Sequence, residues 1–516
     1  MLHVFRGAGA AGAVLMAKPA LDKDLKKLVK LEQVTRDTGR GLVPLSLAVV
    51  FLALVAVASL SVVGFGGGWA LIMTASVVGA YMALNIGAND VANNMSPAVG
   101  SRALKIGVAV AIAAVCEAAG ALIAGGDVVA TVSSGIINPE LMPSPAAFTT
   151  AMLAALFAAA LWINLATWIG APVSTTHSVV GGVLGGGIAV AGVGVADWSV
   201  VGRIVASWVV SPVLGGTIAA GFLAYIKFTI TDVPDRLEQA RRRVPLLVAV
   251  MAGAFSTYLL MKGLSRVVSI APVTAVMLGG VALLITWWLV RPAVDRRVAD
   301  MQTRRHSVGE LFTIPVICGA ALLSFAHGAN DVANAIGPLA AIYTTVSQGE
   351  LVAQAEIPFW ILLIGGFGIV AGLALFGPKL IRTVGSKITK LNRVRAFCVT
   401  LSAAITVIFA SALGLPVSST HIAIGALFGV GFLREFLANR GNSLLATPEA
   451  MPAGSSPLAA SAEAAVPVEK QRRRYLVRRS HLVTIISAWL ITVPASALLA
   501  GLLATVLTRL SLPMLG

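Results

Sequence analysis

The sequence predicts an all-α polytopic membrane protein of about 12–13 transmembrane helices including hairpins, arranged as two inverted repeats with broken helices. Three observations carry this reading. Of the 516 residues 57% are hydrophobic and 12% charged, against roughly 25% charged in a soluble domain, and the mean hydropathy is +0.90. Apolar stretches of about 20 residues, the length a bilayer core demands, recur along the chain. A polar motif occurs twice, once near the start of each half. A soluble enzyme, a disordered scaffold and a secreted disulfide domain are disfavoured, because Cys116, Cys318 and Cys398 all lie in apolar segments and form no paired framework.

The candidate spans fall at 45–64, 67–86, 106–125, 147–169, 172–195, 204–226, 246–261, 272–290, 311–328, 358–377, 397–413, 416–433 and 482–508, with 172–195 and 416–433 open to re-entrant readings. Lys18, Lys23, Lys26, Lys27, Lys30, Arg36 and Arg40 precede the first span, which places the N-terminus in the cytoplasm. Counting crossings from there puts Arg102 and Lys105, the Arg241–Arg243 run, Arg296 to Arg305, Lys379 to Arg395 and Arg472 to Arg479 on the same side. The loop 126–146 should then be external, and it holds no lysine or arginine. The net charge of +16 is thereby explained by cytoplasmic loops, with no nucleic-acid partner needed. Met16 opens a more ordinary start, so residues 1–15 read as an over-extended beginning, and the Ala/Pro/Ser-rich stretch 442–469 reads as a cytoplasmic linker.

Internal repetition organises the rest. Asn85 to Asn94 (NIGANDVANN) returns as Ala326 to Ala335 (AHGANDVANA). Thr131 to Ser134 resembles Thr383 to Ser386, Pro172 to His177 (PVSTTH) returns as Pro416 to His421 (PVSSTH), and Trp208 with Pro212 is echoed by Trp489 with Pro494. The first motif is carried by a span running inward and the second by one running outward, so the halves are expected to be inverted. That is the signature of a secondary transporter with its site near the midplane. The expected domains are a cytoplasmic segment 1–44, an additional helix 45–64, a first repeat 67–228, a connection 229–310 with two helices, and a second repeat 311–508 interrupted by a cytoplasmic loop 438–480.

The spans contain no lysine or arginine, yet Glu117 lies in one and Asp90 and Asp331 at the ends of two others. An ionised carboxylate in an apolar interior is costly unless paired, so a bound cation or a proton should accompany these groups. Asn89 and Asn93, like Asn330 and Asn334, are four residues apart and share a helical face beside the aspartate. Such oxygen-rich, sulfur-free ligation suits a hard cation. Helix capping or helix–helix hydrogen bonding is the alternative role, and duplication in opposite halves weighs against it. Each Pro-Val-Ser motif places proline and hydroxyls in the first turn of a helix, where free N–H groups and the positive dipole end hold oxyanions without lysine or arginine. Ser174, Thr175, Thr176, Ser418, Ser419 and Thr420 are thus candidate oxyanion ligands, and a Ser/Thr-capped hairpin is the plainer alternative. His177 and His421 could carry protons, with structural hydrogen bonding the preferred role. His327 faces Ile86 at the matching position and is taken as structural. Glu117 has Ile369 as its counterpart, which makes it an asymmetric coupling candidate or a buried protonated acid.

On these motifs the chain resembles the inorganic phosphate transporter (PiT) family of cation-coupled symporters, across most of residues 67–508. The resemblance implies that Asn89, Asp90, Asn93, Asn330, Asp331 and Asn334 hold the coupling cation and that the two Ser/Thr hairpins hold inorganic phosphate. Glu117 looks like an acidic residue of the sodium-coupled members, whereas Thr400 stands where some of them carry a glutamate, which leaves the coupling ion open. The span 45–64 looks like an addition before the family core. The resulting expectation is a non-enzymatic symporter in the bacterial inner membrane, a candidate homodimer in the lipid bilayer, that imports phosphate with sodium ions by alternating access and carries no cofactor beyond the co-transported sodium ion or proton. Proton-coupled uptake of phosphate or a metal-phosphate complex, sulfate permeation, an anion channel, and an intramembrane hydrolase using Ser174 and His177 are the rivals.

Overall fold

The computed structural model describes residues 42–169, 173–263, 270–303, 308–351, 357–387, 391–444 and 479–511. Met16, the basic N-terminal residues before the first span and most of the Ala/Pro/Ser-rich stretch lie outside the described residues. Fifteen helices and no strand occur among those described, with one isolated bridge between Ile137 and Ala196. The chain divides after Ala53 into two units. The helix α1 (Leu42–Val63) runs across that division, and all other described elements belong to the second unit.

Among the described residues, eleven helices are long and apolar enough to cross a membrane, and two shorter apolar ones, Thr175–Ala191 and Phe359–Leu375, complete a set that matches the thirteen expected spans. The protein is therefore a multi-pass membrane protein. The first series is α2 (Trp69–Gly100), α3 (Ile106–Ala124), α4 (Gly126–Ala130), α5 (Pro145–Ile169), α6 (Thr175–Ala191) and α7 (Trp198–Ile226). Two connecting helices follow, α8 (Arg236–Tyr258) and α9 (Pro272–Thr303). The second series is α10 (Thr313–Gln348), α11 (Phe359–Leu375), α12 (Gly377–Lys387), α13 (Arg393–Ala412), α14 (Ser419–Leu444) and α15 (Arg479–Ser511). At 17 residues α6 is about 25 Å long, short of a bilayer core of about 30 Å. It also begins inside the protein, since Thr175 is 2% exposed, which favours the re-entrant reading of 172–195.

Burial sorts the helices. In the most apolar window of α13, 78% of residues are buried inside the protein, against 11% for α9. The α9 surface, with Met277 and Trp288 exposed, is apolar as a lipid-facing surface must be. The core is formed by α2, α5, α10 and α13.

The two series pack on each other as well as within themselves. α2 lies against α11 and α10 against α3, while α6 lies against α15 and α14 against α7. All four crossings bring glycine against backbone, two of them through the duplicated motif. A Cβ at Gly87 would collide with the Ile369 backbone, and one at Gly328 with the Glu117 backbone. Gly87 and Gly328 are matching positions of the duplicated motif, so close backbone approach accounts for their presence in both copies.

The stretch 126–146 is not the simple external loop expected. α4 continues into a π-helical turn, Thr131–Gly135, with Val128, Val129, Val132 and Ser133 buried against α10. The Thr131 hydroxyl donates to the Gly414 carbonyl at 2.7 Å, fastening this turn to the segment leading into α14. Buried backbone must satisfy its own hydrogen bonds, so the stretch winds into helix instead of staying irregular. Its counterpart, Thr383 to Ser386, lies in helical α12.

Candidate functional site

Both copies of the Asn-Asp motif lie in the middle of long helices, α2 and α10, and both Ser/Thr motifs lie at helix starts, α6 and α14. Tertiary packing brings all four together into one hydrogen-bonded cluster. Asp90 is fully buried, and its Oδ1 accepts from Asn89 Nδ2 (3.0 Å), Asn93 Nδ2 (3.3 Å) and the Thr420 hydroxyl (3.1 Å). Its Oδ2 accepts from the Thr175 hydroxyl at 3.1 Å. Across the cluster, Asp331 Oδ2 accepts from the Ser419 hydroxyl at 3.0 Å. Thus Asp90 binds hydroxyls from both hairpins, while Asp331 binds one from its own half.

The asparagines divide their work unequally. Asn89 and Asn93 share a face with Asp90 as expected, though they present amide nitrogens to it rather than oxygens. Asn93 also donates to Thr420 Oγ1 at 2.8 Å. Asn330 does not reach Asp331. It donates to the Ser411 hydroxyl (2.9 Å) and the Leu415 carbonyl (3.1 Å) and accepts from the Val417 N–H, so it secures the segment before α14. Asn334 donates to the Thr176 hydroxyl at 3.1 Å. Two buried oxygens, Asp331 Oδ1 and Asn334 Oδ1, have no hydrogen-bond partner among the described residues.

Ser174 caps α6 by accepting from the His177 N–H, and Ser418 accepts from the His421 N–H in the same way. Beyond these caps, the first N–H groups of both helices have no intrahelical acceptor. The Thr176 hydroxyl bonds the Val417 carbonyl across the two hairpins, and Trp208 Nε1 donates to the Pro416 carbonyl at 3.1 Å. All six hydroxyls expected to hold phosphate are therefore within the cluster, and three of them are bonded to carboxylates.

The histidines depart from expectation. His177 makes no ring hydrogen bond among the described residues; its ring packs on Trp208 at 3.7 Å between centroids and on His421 at 4.5 Å. No base is thus aimed at the Ser174 hydroxyl, and a Ser–His hydrolytic pair is not assembled. His327, taken as structural, sits at the centre of the site. Its Nε2 lies 3.1 Å from Asp331 Oδ2 and 3.7 Å from Asp90 Oδ2, and its Nδ1 lies 3.2 Å from Glu117 Oε2. Glu117 is fully buried and its Oε1 accepts from Asn94 Nδ2 at 2.9 Å. The signal available in the sequence was spacing, since His327 and Asp331 are four residues apart on one helix face. Thr400 lies outside the cluster, bonded to the Ala396 carbonyl of its own helix.

The asymmetry of Glu117 now has a physical account. Where α10 crosses α3, His327, Glu117 and Asn94 form one polar chain. At the matching positions of the other crossing stand Ile86, Ile369 and Ala335, all buried and apolar. Asn94 supplies the hydrogen bond to Glu117 Oε1, and His327 Nδ1 lies within ion-pair distance of Glu117 Oε2.

The site gathers three carboxyl groups around the His327 imidazole. Asp90, Asp331 and Glu117 are buried, and no lysine or arginine is among the buried residues of the described chain. Ligand atoms of Asp90, His327 and Asp331 all lie within 4.8 Å of one another. At an effective dielectric of about 20, two carboxylates at that separation repel by roughly 3–4 kcal/mol. The two helix N-termini add only about half a positive charge each.

A profile of the phosphate transporter family matches residues 86–500. The chain is 42% identical to a "Putative phosphate permease" of Helicobacter pylori strain J99, over 93% of this chain and 98% of that protein. It is 39% identical to a protein of the same description from Pyrococcus abyssi, over 69% of this chain and 88% of the relative. Among solved structures it is similar to one titled "The sodium-dependent phosphate transporter", with a TM-score of 0.72 and 34% identity, covering 85% of this chain and 99% of that one.

Proposed function

The chain belongs to the phosphate transporter family, a family of transporters and not of enzymes, and from that premise we propose that it is a secondary active symporter importing inorganic phosphate with sodium ions by alternating access. One observation carries the proposal: Asp331 Oδ1 and Asn334 Oδ1 are buried acceptors without partners among the described residues, in a cluster of three carboxyl groups with no lysine or arginine. Oxygen acceptors of this kind suit a hard cation.

The coupling follows from which atoms compete. In this arrangement the Thr175, Ser419 and Thr420 hydroxyls donate to Asp90 and Asp331. Sodium at Asp331 with Asn334, and at Asp90 once Asn89 and Asn93 turn their amide oxygens toward it, would neutralise the carboxylates and release those donors. Phosphate would then take the hydroxyls and the first N–H groups of α6 and α14. A phosphate group carries about −1.5 to −2 charges near neutral pH, which the roughly +1 of two helix ends cannot offset beside ionised carboxylates. Neither ion is well held alone. The reciprocal packing of α2 on α11 and α10 on α3 supports a rocking of two similar bodies about a shared site, and the basic residues before the first span support a cytoplasmic N-terminus in a bacterial inner membrane.

Uptake of [32P]phosphate into proteoliposomes tests this. Replacing sodium by choline should abolish concentrative uptake, and excess sulfate should leave sodium-driven uptake nearly unchanged. Uptake that persists in choline and stops when the pH gradient is collapsed would replace sodium by protons, and strong sulfate competition would displace phosphate as the substrate.

A further inference from the structure

A cavity of about 490 Å3 opens where the end of α2 meets the starts of α8 and α13. Its wall holds Arg236 and Arg393, with Ser101, Thr231 and Asn392 beside them, and no carboxylate among the described residues. Arg236 forms no side-chain hydrogen bond or ion pair among the described residues. Arg393 gives one Nη2 bond to the Arg102 carbonyl at 3.3 Å, and its Nε is buried without a partner among the described residues. Of the acids close by in sequence, Asp232 pairs with Lys227 at 2.6 Å and Glu238 with Arg241 and Arg242, while Asp235, the residue before Arg236, does not line the cavity. Arg102, whose carbonyl holds Arg393, has a left-handed φ of 59°, the only positive φ outside glycine among the described residues. A bulky residue keeps that conformation only where its surroundings require it.

From this geometry we propose a second anion site, formed by Arg236 and Arg393 and built for a phosphate group. Guanidinium forks match phosphate oxygens in pairs, and Ser101, Thr231 and Asn392 supply further polar groups. Arg236 and Arg393 are also the first residues of α8 and α13, so two positive helix ends face the same cavity. The volume lies within the roughly 300–1,000 Å3 of small-ligand sites. It is distinct from the carboxylate cluster. Ser411, which bonds Asn330, and Arg393 lie on the same helix, roughly 27 Å apart at 1.5 Å per residue. The phosphate group could be free inorganic phosphate or the headgroup of an anionic phospholipid, and the site goes beyond the symport reading without depending on it.

The test uses full-length protein in nanodiscs of phosphatidylcholine, with and without phosphatidylglycerol, in choline chloride so that sodium-driven binding does not contribute. Bound [32P]orthophosphate per chain and phosphatidylglycerol retained after delipidation are measured for the native chain, Arg236→Gln and Arg393→Gln. Arg236 is exposed, so its variant leaves packing intact. If free phosphate is the ligand, orthophosphate binding in pure phosphatidylcholine weakens at least about tenfold in each variant. If the headgroup is the ligand, the native chain retains phosphatidylglycerol and the variants lose it. Variants that hold as much of both as the native chain overturn the proposal. Sodium-dependent binding, measured separately, remains in both variants and reports on the other site.

Discussion

Asp331→Asn abolishes sodium-driven phosphate uptake while the protein remains inserted and monodisperse. The substitution keeps the volume of the side chain and its place in α10, so packing against Ser419 and His327 is little disturbed. What changes is charge and donor balance. The unpartnered Oδ1 is the oxygen best placed for a cation, and an amide there is neutral and can present N–H groups instead. Loss of a buried charge-assisted interaction of about 3 kcal/mol corresponds to more than a hundredfold in affinity. Initial rates of [32P]phosphate uptake, normalised to protein reconstituted, should fall by at least about that factor. A rate within a few-fold of the native protein would remove Asp331 from the cation site.

The second large effect concerns the polar crossing of α10 and α3. His327→Ile leaves Glu117 Oε2 facing an alkyl group and Asp331 without its histidine neighbour, and leaving buried polar groups unpaired in this way costs about 1–3 kcal/mol. Thermal unfolding in detergent should shift down by several degrees, and uptake should be lost. The combined variant Asn94→Ala, Glu117→Ile, His327→Ile copies the residues that stand at the matching crossing, Ala335, Ile369 and Ile86. It removes all three polar groups together, so no orphan remains, and most of the lost stability should return. Uptake should stay lost because Asp90 and Asp331 have lost the imidazole beside them. If the triple variant is less stable than His327→Ile alone, the polar chain is not a mutually satisfied unit.

Much of this architecture was legible because membrane helices announce themselves by length and polarity, and each of the thirteen expected spans has a helix. The stretch 126–146 misled for the complementary reason. Its buried residues are short and interspersed with glycine and serine, so neither a span nor a hairpin stands out until Thr131 is seen bonded to Gly414. The candidate site was legible as parts. Cation-side and anion-side motifs were separable in sequence, but the bonds joining Asp90 to Thr175 and to Thr420 cross 85 and 330 residues and have no local trace. His327 was set aside because its counterpart is Ile86. Duplication is a guide to symmetric features only, and here the informative residues, His327, Glu117 and Asn94, form an asymmetric set whose members explain one another. His177 shows a further limit, since tilted ring packing on Trp208 replaced the hydrogen bonding expected of a buried imidazole.

The claim on which the account rests is that the carboxylate cluster, lacking lysine and arginine, retains phosphate only together with a mobile cation. Equilibrium binding of [32P]orthophosphate to the purified Arg393→Gln chain, which removes the distant arginine, reads this directly when sodium chloride is exchanged for choline chloride at fixed pH and ionic strength. The expected outcome is an affinity at least about tenfold lower in choline, restored by adding sodium back. Equal affinity in the two salts would contradict the account, because phosphate would then be held by the protein alone.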